Sequence, residues 1–131
     1  MFRLAIAAAA LASCATPQVA PQPLTGHWGG VHVGLTLDAA GGQLDYDCAA
    51  GTIVGPVMVD SAGRFRATGT HTPGTGGPVR QDHVPPAYPA IYHGNVRGDM
   101  MTLTTSVPSR DFVIGPYALR RGVDPKLMRC L

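Results

Sequence analysis

The chain has 131 residues, enough for one domain with its own core. Its formal charge is +2, charged residues make up 14% and Glu is absent, so no basic stripe exists and a nucleic-acid partner is excluded. Seventeen Gly and 12 Pro beside a 45% hydrophobic share point to turns between strands rather than to disorder.

Met1-Phe2-Arg3 supplies one positive charge, and residues 4–12 form an uncharged apolar run too short to span a bilayer. Small residues then precede a cysteine, in Leu11-Ala12-Ser13-Cys14. A basic start, an apolar run and a small-residue cleavage site make an export signal. Leu11-Ala12-Ser13-Cys14 resembles the lipobox of bacterial lipoproteins, which implies lipidation of Cys14 as the first mature residue. Ordinary cleavage near residues 12–15, leaving a free thiol, is the alternative. Stable anchoring takes at least two acyl chains, which the lipobox pathway supplies. The non-acidic Ala15 implies sorting to the outer membrane, facing the periplasm. Residues 16–23 hold three Pro, two Gln and no charge, and predict an extended spacer without secondary structure. The expected organisation is a signal peptide over 1–13, a lipid-anchored spacer over 14–23 and a β-barrel domain over 24–131.

With Cys14 assigned to lipid, Cys48 and Cys130 remain. Export exposes them to oxidising conditions, which predicts a Cys48–Cys130 disulfide, with two free thiols as the alternative. The bond would close a loop of about 80 residues, worth ~4.5 kcal/mol on the chain-entropy model. No C-x-x-C pair is present, so neither a thioredoxin-like site nor a cysteine zinc site is supported.

Helical periodicity is nearly absent, and short Val-, Ile-, Thr- and Tyr-rich runs separated by glycine turns predict an all-β fold. The first strand is expected over 26–37. Its Val31, Val33, Leu35 and Leu37 share a parity that Trp28 does not. A bulge at Gly29-Gly30 would bring Trp28 inward and leave His32 outside. Leu44, Tyr46 and Cys48 share one face of a strand over 43–48, with Asp45 and Asp47 on the outer, solvated face. A run over 52–59 ends in Asp60-Ser61-Ala62-Gly63, with the residues a type I turn prefers. Residues 64–71 alternate, Phe65 and Ala67 inward, Arg64 and Arg66 outward.

Residues 71–89 carry five Pro and predict a long loop, either functional or a structural crossing over one barrel end. Strands over 90–97 and 100–107 flank Gly98-Asp99, a two-residue hairpin turn of the II′ kind. That turn also explains the Arg97-Gly98-Asp99 tripeptide, which carries no adhesion reading. Met101, Leu103 and Val107 share a parity in the second of these strands. A last long strand over 112–120 places Tyr117 and Leu119 inward, and a short tail brings Cys130 back. Seven or eight consecutive antiparallel strands predict a small up-and-down barrel that closes to remove its edges, with a sandwich as the alternative.

Gly26-His27-Trp28, opening the first strand, resembles the G-x-W start of lipocalin-like and avidin-like barrels, which implies that Trp28 closes the barrel floor. The W-G-G-V-H-V-G-L run, the D-Y-D-C-A-A-G-T-I segment, G-R-F, the G-G-P loop and the R-C-L end resemble a family of small bacterial lipoproteins to which no activity is assigned. The likeness spans almost the whole mature chain and implies a fold rather than an activity.

No nucleophile elbow, zinc-protease helix, phosphate loop or dinucleotide fingerprint is present, so no enzyme and no cofactor are expected. His27 and His32 flank Trp28, and His71, His83 and His93 lie in or beside the long loop without ligand spacing, so no metal is expected. Trp28, Tyr46, Tyr92 and Tyr117 are the candidate contacts for a small apolar or amphipathic ligand. Core packing is their ordinary role in a barrel of this size. The expected function is a membrane-anchored envelope lipoprotein binding such a ligand. The alternative is a periplasmic protein-interaction or inhibitor module acting on an envelope protein through the 71–89 loop.

Overall fold

The computed structural model describes residues 8–12, 20–74, 81–82, 84–128 and 130. Its strands, in chain order, are β1 (Gln22–Pro23), β2 (Gly26–Gly30), β3 (Val33–Asp38), β4 (Gly41–Tyr46), β5 (Ala49–Val54), β6 (Met58–Val59), β7 (Arg64–Pro73), β8 (Tyr88–Arg97), β9 (Met100–Val107) and β10 (Phe112–Arg121). β1 and β6 pair as a two-stranded ribbon, and the other eight close an antiparallel barrel in the order β10-β2-β3-β4-β5-β7-β8-β9. Each barrel strand neighbours the next in sequence, which is the up-and-down meander that the turn spacing predicts.

The expected single strand over 26–37 is two strands. β2 and β3 fold back on each other with Gly30 opposite Val33, so Val31 and His32 make a two-residue turn. His32 takes a left-handed φ of 73° there, a conformation in which His is enriched among non-glycine residues. This reversal, rather than a bulge at Gly29-Gly30, resolves the parity conflict. Trp28 pairs with Leu35, both point inward, and His32 stays outside. The run expected over 52–59 also divides, into β5 and the short β6. Asp60 holds the following turn: its side chain accepts from the backbone N–H groups of Ala62 and Arg64 at 2.9 Å each. The β8–β9 turn at Gly98-Asp99 stands where its sequence places it, with Gly98 at φ 56°.

Two boundaries shift. Gln22 and Pro23, expected in the spacer, pair with Val59 and Met58 because β6 offers a free edge and Leu24 is buried beside it, its N–H donating to Val57. The 71–89 segment is shorter as a loop than expected. His71 pairs with Gly51 and Pro73 with Ala49 at the end of β7, while Tyr88 and Pro89 open β8 opposite His71 and Thr70. These prolines sit near strand ends, where a missing N–H is tolerated.

The interior is filled by Trp28, Val33, Leu35, Leu44, Tyr92, Met101, Leu103, Val107 and Leu119, all essentially without exposure. Eight strands give an interior just wide enough for side chains. Small inward positions make room for large ones: a Cβ on Gly51 would overlap the Tyr92 hydroxyl, which donates to Thr70 O across the core.

Trp28 closes one end. Its indole Nε1 donates to Thr25 O at 3.2 Å, and the Arg121 guanidinium lies 4.3 Å over its ring. Arg121 also donates to Thr25 O and pairs with Asp99 at 3.3 Å. Replacing Trp28 by Ala removes the largest fully buried side chain and should cost about 3–5 kcal/mol. Equilibrium urea unfolding checks this, and a loss under about 1 kcal/mol would show that the floor side chain is replaceable.

Candidate functional site

The end opposite Trp28 gathers the finish of β7, the start of β8, the finish of β9, the 3-10 turn Pro108–Arg110 and the start of β10. A recess of about 240 Å³ opens there, lined by His71, Pro73, Tyr88, Val107, Arg110 and Phe112. His71 continues the inward parity of Phe65, Ala67 and Gly69 along β7, which turns a polar ring into the barrel mouth. It is only 3% exposed. Its ring meets Tyr46 edge-on at 5.6 Å and lies 6.1 Å from Phe112. Among the described residues its Nδ1 atom is buried without a hydrogen-bond partner.

Burial holds the His71 imidazole below its ordinary value of 6.5, so the ring is neutral in the fold. Behind it, Tyr46 and Thr105 share a hydroxyl–hydroxyl bond of 2.6 Å, and Tyr117 packs 6.0 Å from Tyr46. Burial pushes the Tyr46 phenol up to about 12, with Tyr117 adding to the rise and the Thr105 bond opposing it. Burial, then the neighbouring Tyr46, pushes the Tyr92 phenol up as well. Both phenols therefore stay protonated and act as packing and hydrogen-bonding groups. At the rim the Arg110 guanidinium stands 5.0 Å over the Tyr88 ring.

The four aromatic residues singled out in the sequence do not form one ligand box. Trp28 seals the far end, Tyr92 fills the centre, and Tyr46 and half-buried Tyr117 lie beneath the mouth. The polar atoms of Trp28, Tyr46 and Tyr92 are all engaged within the fold. The recess is instead walled by His71, weighed in the sequence only as a metal ligand, and by residues not singled out there as ligand contacts. The one signal for them was the alternation of β7, which reaches His71 at an inward position; nothing local distinguishes Tyr88, Arg110 or Phe112.

Other sequence candidates separate in space. His71 faces inward, whereas His93 is exposed on β8 opposite Arg66. His83 and Cys14 lie outside the described residues. No group of three metal-ligating side chains occurs among the described residues. Asp47 is not part of a solvated pair with Asp45. It sits in the β4–β5 turn, where Oδ1 accepts from Met128 N–H at 2.8 Å. Its Oδ2 lies 2.5 Å from His32 Nδ1 without hydrogen-bond geometry. Cys48 lies in the same turn, exposed rather than on the inner face, and it and Cys130 are free thiols, so the structure holds no Cys48–Cys130 disulfide. A hydrogen bond from the Cys48 S–H to the Cys130 side chain is the first cause that pushes the Cys48 thiol up to about 11.

An outer groove of about 310 Å³, between β10 and the C-terminal tail, is larger than the mouth recess. Its walls include Gly30, Val31, Ala118 and Val123, and no buried unpartnered polar atom faces it among the described residues.

Because the folded-state imidazole of His71 titrates below the unfolded one, the unfolded chain binds more protons between the two values. Its contribution to stability is complete above pH 6.5 and is lost as pH falls below it. Melting temperatures at pH 7.5 and 5.5 should therefore fall further for the parent than for His71→Phe; equal falls would assign the pH dependence to other groups. Compared with family models, with curated proteins and with solved structures, the chain matches none.

Proposed function

We propose that this chain is an exported, lipid-anchored envelope lipoprotein whose filled barrel recognises a small amphipathic ligand at its mouth. The observation that carries the binding reading is the mouth recess, about 240 Å³, with a buried and unpartnered imidazole in its wall. Ligand sites are concave, mostly apolar and equipped with a few convergent polar groups, and this recess lies just under their usual size. A filled interior moves recognition from the barrel lumen to its rim.

Three features support the anchor. Leu11-Ala12-Ser13-Cys14 matches a lipobox. Residues 8–12 contribute nothing to the core, Leu11 being 97% exposed. The chain enters the barrel through β1 and Leu24 beside Val57, at the Trp28 end. A tether at that end points the mouth away from the membrane, toward the periplasm. Export of the parent and a Cys14→Ser variant with a labelled fatty acid should mark only the parent; a labelled variant would overturn the anchor.

The oxidising compartment also favours a Cys48–Cys130 bond. Thiol–disulfide exchange with an oxidised dithiol carrier would take two protons and two electrons from the adjacent thiols, and would lock the tail.

A protein-interaction reading has its own observation. Phe112 and Val113 are 48% and 63% exposed at the mouth, next to the strands that bracket the long loop. Native mass spectrometry of the exported Cys14→Ser chain separates the two readings. An extra mass lost on denaturation supports a captured ligand. A bare mass favours a protein partner reached through the loop. In either case a chain two hydrogens lighter than its reduced form reports the disulfide, and an unchanged mass refutes it.

A further inference from the structure

We infer that the mouth recess selects a small, flat organic monoanion, with the Arg110 guanidinium taking its charge and the aromatic walls taking its body. This rests on the mouth-binding reading and adds the chemical class. Arg110 ends the 3-10 turn Pro108–Arg110, and its stacking on Tyr88 holds the guanidinium at the rim. Among the described residues it has no carboxylate partner: the ion pairs at this end and elsewhere join His27 to Asp124, His32 to Asp47 and Arg121 to Asp99. A planar guanidinium beside an aromatic wall suits a carboxylate, which it can meet bidentately.

The remaining walls set the body of the ligand. Val107, Phe112, Pro73 and Tyr88 are apolar surfaces, and the neutral His71 ring adds an unpartnered hydrogen-bonding atom beside them. Behind the recess, Tyr46, Thr105 and Tyr117 fill the lumen, so an acyl chain cannot extend into the barrel. A space of about 240 Å³ lies below the usual range of drug-sized sites and suits a single-ring molecule. An aromatic monocarboxylate of that size meets all three conditions: charge, flatness and length. Cations are disfavoured by Arg110, and neutral ligands of the same shape would forgo the charged contact.

Benzoate and its neutral isostere benzamide test this on the whole Cys14→Ser chain, by NMR titration at moderate salt. Benzoate should shift the ring resonances of Tyr88 and Phe112 with a Kd on the order of millimolar. It should also bind about tenfold more tightly than benzamide, the worth of a charge-assisted hydrogen bond. Arg110→Gln, at an exposed position, should erase that preference while benzamide binding persists. Equal binding of the two probes, or a preference that survives Arg110→Gln, overturns the anion assignment and leaves mouth binding standing. Binding of neither probe at the mouth overturns both.

Discussion

The seam between β2 and β10 is the constraint on which the rest of the molecule depends. Only Arg120–Gly29 and Arg121–Trp28 are paired across it, whereas the β9–β10 ladder has seven paired positions. A barrel closed by so short a ladder needs reinforcement from side chains, and receives it from both ends. Inside, Arg121 lies over the Trp28 ring and donates to the same Thr25 carbonyl that the indole uses. Outside, the chain turns after β10, with Gly122 N–H bonded to His27 O, and runs back over the seam.

That returning tail explains why two glycines stand on the outer faces of β2 and β3. A Cβ at Gly29 would strike the backbone of residues 123–125, and one at Gly34 would strike the Pro125 ring. The tail then adds to the β2–β3 turn through Lys126, whose N–H donates to Gly30 O while its own carbonyl accepts from His32 N–H. Asp47 completes the strap from the β4–β5 turn by holding Met128 and His32 together. Cys48 and Cys130 are free thiols in the structure, and the proposed bond between them would fasten the far end of the chain across the weakest joint of the barrel.

Filling and recognition are linked by the same geometry. Eight strands leave room for side chains and little else. Trp28, Tyr92 and the aliphatic residues occupy that room, and the polar tips of Trp28, Tyr46 and Tyr92 each find a partner in the chain. The lumen is therefore finished as a core. At the mouth, among the described residues, a polar ring is buried without a partner and an arginine stands without a carboxylate. An unpartnered buried polar atom is costly, and this one is the observation from which the mouth-binding proposal starts.

Much of the architecture was legible in the residues themselves. Period-two alternation identified β7 and β9 with the correct inward faces, and Gly98-Asp99 marked their neighbour's hairpin, because strand pleat and turn conformation are local properties. The meander followed from turn spacing, since short turns join only adjacent antiparallel strands. The chain reversal at Val31-His32 was not legible, because its residues carry no turn signature and His32 reaches a left-handed φ only with Lys126 bonded to it. Asp47 read as solvated because its partners, His32 and Met128, are 15 and 81 residues away in the chain. The recess joins Arg110, Phe112, Tyr88 and His71 from four separate elements, and Arg121 reaches Trp28 only through closure. Sequence by itself determined the all-β meander and the inward faces of β7 and β9, which depend on neighbours within a few residues. Tertiary structure alone decided the seam, the strap and the mouth, because each depends on side chains that meet only after the barrel has closed.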